Sequence, residues 1–98
     1  MAQFIAAVRR DLEKFSASDF TPELLEEEAE RARRLYADGI FRQMWGRADN
    51  PGAVILIEAG SIEEAQAVLA SLPLAVREML TLDLLVAVTP YRGFGPRG

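Results

Sequence analysis

The stretch Gln3-Phe4-Ile5-Ala6-Ala7-Val8-Arg9 decides the fold, because it can be read in two ways. Together with Leu12 and Phe15, the residues Phe4, Ile5 and Val8 fall at helical spacings. Taken alone, Phe4, Ala6 and Val8 alternate with Gln3, Ile5 and Ala7, as in a strand. Periodicity slightly favours the helix, so the choice rests on the elements around it. Downstream, Thr21-Pro22-Glu23 opens a helix: a hydroxyl N-cap followed by proline at the first helical position, where its missing N–H is no loss. The apolar positions Leu25, Ala29, Ala32, Leu35 and Tyr36 follow spacings of three and four. Glu27–Arg31 and Glu30–Arg34 are expected as ion pairs on the opposite face, and Gly39 supplies the C-terminal stop. The run Glu26-Glu27-Glu28 is expected to be a solvated face near the helix N-terminus.

Next come two strand-like segments, Ile40–Trp45 and Ala53–Ala59, joined by a loop rich in turn residues that includes Asn50-Pro51-Gly52. A second helix starts at Ser61, where Ser61-Ile62-Glu63-Glu64 fits a capping box. Its buried stripe is Ile62, Ala65, Leu69 and Leu72, and Pro73 stops it. Leu80–Thr89 reads as a last strand, with Leu82, Leu84, Val86 and Val88 on one face and Asp83, Leu85 and Ala87 on the other. A helix, two strands, a helix and a strand make a familiar plan only if a strand precedes them. Gln3–Arg9 is therefore read as that strand, giving an α+β, ferredoxin-like βαββαβ domain over residues 1–98, with a four-stranded antiparallel sheet and two helices on one face.

That plan leaves the other sheet face bare. Ala53–Ala59 and Leu80–Thr89 are nevertheless apolar on both sides, whereas a solvated face should alternate with polar residues. The bare face is expected to pair with the same face of a second copy as a homodimer. Burial at ~25 cal/mol per Å2 would make such a homodimer favourable by many kcal/mol before association costs. The alternative is that Pro90–Gly98 folds back as a lid.

Composition narrows the chemistry. The chain has 98 residues, half of them hydrophobic, and a net charge of −4. No apolar run approaches the ~20 residues that span a bilayer, and Met1–Phe15 does not resemble a secretory signal, so a cytoplasmic protein with no membrane partner is expected. All but one of the 11 basic residues are arginine. Neither Arg9-Arg10 nor the tail residues Arg92 and Arg97 make the basic patch that nucleic acid requires. The chain contains no cysteine and no histidine, which removes the thiol nucleophile and the commonest general base and metal ligand. No metal or cofactor is expected.

Arg34-Leu35-Tyr36-Ala37-Asp38-Gly39, Arg42-Gln43-Met44-Trp45, Ser71-Leu72-Pro73-Leu74 and Val88-Thr89-Pro90 occur in an order that resembles muconolactone isomerase-like proteins of the dimeric α+β barrel superfamily. The resemblance runs from about Phe4 to Phe94, and the ending Pro90–Pro96 looks closest to an uncharacterised branch. Two departures stand out. Leu74–Val88 is several residues longer than in the true isomerases, and Gly46 follows Trp45 where that branch has histidine. The resemblance implies a small cofactor-free enzyme that isomerises an unsaturated lactone or aromatic acid by proton transfer. A cofactor-free monooxygenase of aromatic polyketides and a non-catalytic ligand-binding or assembly module are the alternatives.

Isomerisation needs a base beside a carbonyl with its pKa raised toward working pH. Without histidine, the candidates are a tyrosine or carboxylates in apolar surroundings, namely Glu58, on the side of Val54 and Leu56, and Asp83, between Leu82 and Leu84. The alternative is a Glu58 solvated at a strand end and an Asp83 paired with an arginine. Trp45, Arg47 and Asp49 are read either as a ligand mouth, with a ring for stacking and a guanidinium for an anionic group, or as an Arg47–Asp49 or Arg47–Glu contact bracing a hairpin, with Trp45 filling the dimer core. Arg42 and Tyr36 are further candidates for substrate binding, Tyr36 as a core residue with one partner for its hydroxyl.

Overall fold

In the computed structural model, which describes residues 1–94, Ala2–Arg10 is a strand, β1. It lies inside the sheet, hydrogen-bonded on one side to β3 (Gly52–Ala59) and on the other to β4 (Leu80–Val88). With β2 (Phe41–Gly46) on the far side of β3, the order is β2-β3-β1-β4, antiparallel throughout. This is the ferredoxin-like arrangement. Local pattern alone could not identify β1, because both its faces carry apolar residues, Phe4, Ala6 and Val8 on one and Ile5 and Ala7 on the other.

Both main helices start and stop where the local chemistry dictates. In α1 (Pro22–Ala37), Thr21 Oγ1 accepts from Leu24 N at 3.2 Å. At the other end Gly39 adopts φ +78°, while Ile40 N donates to Leu35 O (2.9 Å) and Gly39 N to Tyr36 O (3.0 Å). This left-handed cap presses Ile40 toward the same core as Leu35. It thereby fixes Leu35, rather than Tyr36, as the inward residue of the last turn. The inward face therefore keeps Leu25, Ala29, Ala32 and Leu35 of the expected stripe, loses Tyr36, and widens to take in Leu24, Glu28 and Arg31. Tyr36 is 65% exposed and is not a core residue. The ion pairs shift accordingly. Arg33 bridges Glu26 and Glu30, and Arg31 Nη2 donates to Ser71 Oγ at 3.0 Å, tying α1 to the end of α2.

In α2 (Ile62–Ala70), Ser61 Oγ accepts from Glu64 N, but the reciprocal bond reaches one residue further back than expected, from Gly60 N to Glu64 Oε2 at 2.7 Å. Pro73 does more than stop α2, for it opens a one-turn helix, α3 (Pro73–Val76). Met79 N donates to Leu74 O (2.8 Å) and Glu78 N to Ala75 O (3.0 Å), the same cap that ends α1. Here a glutamate, Glu78 at φ 59°, fills the left-handed position that favours glycine.

One sheet face packs under the helices. Phe4, Ala6, Phe41, Ile55 and Ile57 meet Leu35, Ala65, Leu69 and Leu72 in one cluster, while Phe20, Leu24, Leu74 and Met79 form a second. Gly52 is set against β1 so closely that an added Cβ would lie 2.1 Å from Val8 O. On the opposite face, Ile5 sits across from Leu56 and Val86, and Ala7 across from Val54 and Leu84. Leu84 and Val86 are exposed. The helices leave this apolar face open, as the sequence implied.

Two register shifts break the strand patterns. In β4, Ala7 pairs with Leu84 and Val8 with Leu82, so Asp83 is an extra residue with no partner on β1. Leu82 consequently shares the helix side with Val8, and the expected single row Leu82-Leu84-Val86-Val88 is split. In β2, Phe41 pairs with Ile57 and Gln43 with Leu56, leaving Arg42 as the extra residue. At the C-terminus Arg92–Phe94 form a single 3-10 turn. The last residues of the expected alternative lid, Pro90–Gly98, lie outside the described residues, as does the end of the family-like Pro90–Pro96 segment.

Candidate functional site

A cavity of about 450 Å3 opens where the two core clusters meet. Val8, Ala53 and Ile55 from the sheet form its floor, Leu25, Ala29 and Ala32 from α1 one wall, and Leu72 and Leu74 another. This lining is apolar except for three charged side chains: Glu28, Arg10 and Arg33.

Glu28 is the carboxylate of the site. It follows Leu24 by one helical turn, so the stripe that buries Leu24 and Leu35 also turns Glu28 inward. Its Oε1 accepts from Leu74 N at 3.0 Å. That amide is one of the unsatisfied donors at the start of α3, so Glu28 closes a helix N-terminus from a distant part of the chain. Burial pushes its carboxyl above the ordinary glutamate value, and the Leu74 bond and the charge of Arg10 only partly offset this. The expectation of a solvated Glu26–Glu28 run therefore fails at its last residue. The signal was present in the sequence as Leu24, Glu28 and Leu35 on one helical stripe, but three consecutive glutamates read more naturally as surface.

The two arginines differ in their engagement. Arg33 is held by Glu26 and Glu30 on the outer face of α1. Arg10, at the end of β1, lays its guanidinium carbon 5.4 Å from the centroid of the Phe20 ring. Among the described residues it has no carboxylate within ion-pair distance. Trp45 borders the cavity from the edge strand and is 49% exposed. Beside it Gly46 also lines the opening, and a Cβ there would meet nothing within 4 Å.

The remaining sequence candidates lie outside this cavity's lining, apart from Trp45. Arg47 is almost fully engaged: its side chain is 13% exposed, with Nε 2.9 Å from Asp49 Oδ1, Nη2 2.7 Å from Asp49 Oδ2 and Nη1 2.6 Å from Asp83 Oδ2. Arg9 Nε reaches the other Asp83 oxygen at 2.9 Å. These bonds brace β1, β4 and the β2–β3 loop together. The hydrogen bonds from Arg47 hold Asp49 down at about 2. Those from Arg47 and Arg9 hold Asp83 below its ordinary value, the reverse of the raised pKa expected for a base. The bulge is the cause, since it turns Asp83 out of the alternation that would have placed it with Leu85 and Ala87 and delivers it to Arg9 and Arg47. Glu58 lies opposite Gln3 with Arg42 Nη1 3.7 Å away. It is paired at the open-face end of β3, remote from the lining in which Glu28 stands. Tyr36 is on the exposed side of α1.

Comparison with known proteins bears on what such a cavity is for. The sequence model of one family, muconolactone delta-isomerase, matches residues 3–90, nearly the whole described chain. No curated protein matches the chain.

Proposed function

Since the chain belongs to the muconolactone delta-isomerase family, we propose that the cavity beside Glu28 is the active site of an isomerase that moves a proton within a small unsaturated lactone or aromatic acid. The observation that carries this reading is Glu28 itself, a half-buried carboxylate on an apolar wall, with its pKa raised by burial and its position fixed by Leu74 N. In such a reaction the carboxylate removes a proton from a carbon made acidic by a neighbouring carbonyl. The double bond shifts, and the resulting carboxylic acid returns the proton to another carbon of the same molecule. Nothing is gained or lost overall, so one side chain can serve both half-steps. The apolar lining lowers the local dielectric, which strengthens the electrostatic interactions of the reacting groups. Trp45 offers ring surface at the mouth.

A second copy is proposed to cover the open sheet face, through Ile5, Leu56, Leu84 and Val86. This assembly would bury the largest apolar surface that the helices leave bare.

The test is to incubate the protein with muconolactone in heavy water and follow the lactone by proton NMR. Double-bond migration by the wild-type chain, and at least about a hundredfold loss of it in Glu28→Gln, is the expected result. No migration with the wild-type chain, or an unimpaired Glu28→Gln variant, would overturn the assignment.

A further inference from the structure

Arg10 is the one cation lining the cavity that forms no close ion pair with a described carboxylate, although Glu28 feels its charge. Its surroundings suit recognition better than structural bracing. The guanidinium rests on the Phe20 ring at 5.4 Å, and Phe20 is itself fixed in a buried cluster with Leu24, Leu74 and Met79. A guanidinium presents a planar fork of N–H donors that matches the two oxygens of a carboxylate. The Arg10 backbone is equally fixed: its N–H donates to Pro51 O at 2.9 Å, and it pairs with Leu80 at the start of β4. A half-buried cation beside apolar walls gains from an anion that completes its coordination. Glu28, which shares the cavity, already accepts from Leu74 N.

Building on the reading of this cavity as the active site, we propose that Arg10 is its specificity residue, holding the carboxylate of the ligand while the apolar body lies on Val8, Ile55 and Leu72. The site then prefers small carboxylic acids to their neutral isosteres, and Arg10 positions the molecule so that its reactive carbon faces Glu28. Arg33 does not share the task, being held by Glu26 and Glu30.

Phenylacetate and phenylacetamide, equal in size and different in charge, serve as probes in NMR titrations of the labelled protein. The wild-type chain is expected to bind phenylacetate roughly tenfold or more tightly than the amide, with shifts at Val8, Ile55 and Leu72. Arg10→Gln removes that preference while leaving amide binding unchanged, and Arg10→Lys, which keeps the charge and lacks the fork, retains part of it. The same titrations follow the Glu28 carboxyl, whose pKa rises further in Arg10→Gln because a favourable charge has gone. An Arg10→Gln or Arg10→Lys protein that keeps the full preference overturns the proposal and leaves the cavity intact as a ligand site. Failure of both probes to shift the cavity residues of the wild-type chain overturns the proposal together with the reading on which it rests.

Discussion

Replacing Glu28 by glutamine and by alanine separates its two tasks. As the fastener of α3, the side chain needs only an acceptor for Leu74 N, which it meets at 3.0 Å. Glutamine keeps an amide oxygen there, whereas alanine leaves a half-buried N–H unpaired. The alanine variant should therefore be less stable than the glutamine variant by about 1–2 kcal/mol at every pH, or roughly 5–15 °C in melting temperature for a chain of this length. Comparison with the wild type adds a pH dependence. A carboxyl whose pKa is raised by folding binds its proton more tightly in the native state. Its favourable contribution is present below the unfolded value, near ~4.3, and is lost as pH rises through the folded value. Glutamine and wild type should match near pH ~4, and glutamine should become the more stable as pH increases. Each unit by which the native pKa is raised corresponds to about 1.4 kcal/mol at the upper plateau. Urea unfolding followed by circular dichroism across that range measures both differences. Equal destabilisation by glutamine and alanine would refute the capping role, and a wild-type protein that gains on glutamine with rising pH would refute the burial argument.

Three further outcomes follow from the same structure. Glu78→Gly, which relieves a left-handed glutamate at φ 59°, should stabilise the chain by about 0.5–1 kcal/mol after allowing for glycine's greater freedom when unfolded, and thermal melting would show it. Asp83 and Asp49 have lowered native pKa values, so their contribution is complete above the unfolded value near ~3.9 and is lost as pH falls through the native value, which for Asp49 is about 2. The stability gap between wild type and Asp83→Asn should accordingly shrink in acid, and a gap in denaturant midpoint that stays constant from neutral pH downward would count against the Arg9–Asp83–Arg47 brace. Val86→Glu places a charge in the middle of the open face, opposite Ile5, and should yield a monomer by sedimentation velocity. A wild-type chain already monomeric at the same concentration would remove the face-to-face assembly.

Punctuation residues made most of the fold legible. Thr21-Pro22 and Gly39 bracket α1, Ser61 starts α2, and Pro51-Gly52 leads into β3, each because a backbone group needs that side chain or that freedom. The strand at Ala2–Arg10 is legible from topology rather than from its own pattern, since Ile5 and Ala7 on its open face are as apolar as Phe4, Ala6 and Val8 on the other. Side-chain direction was harder to read. Along α1, an inward face widened to include Leu24 drops Tyr36 and turns Glu28 from solvent to cavity. Arg47 and Asp83 are 36 residues apart in sequence. Their bond depends on an extra residue in β4 that no local periodicity announces. A residue's type suggested what it could do, and only the pairing register decided which neighbours it met.

The two register shifts fall on β2 and β4, the outer strands of the sheet, and each sets a charged residue, Arg42 or Asp83, at the irregular position. An outer strand with a regular row of free amides and carbonyls is a template on which further chains can add, without limit, into fibrils. A kink carrying a charge spoils that template, because an incoming strand would have to match the irregularity and bury the ion. Self-association along the edges is thereby disfavoured while the broad apolar face stays accessible. The proposed pairing through that face, unlike edge addition, would close on itself after one partner has been added.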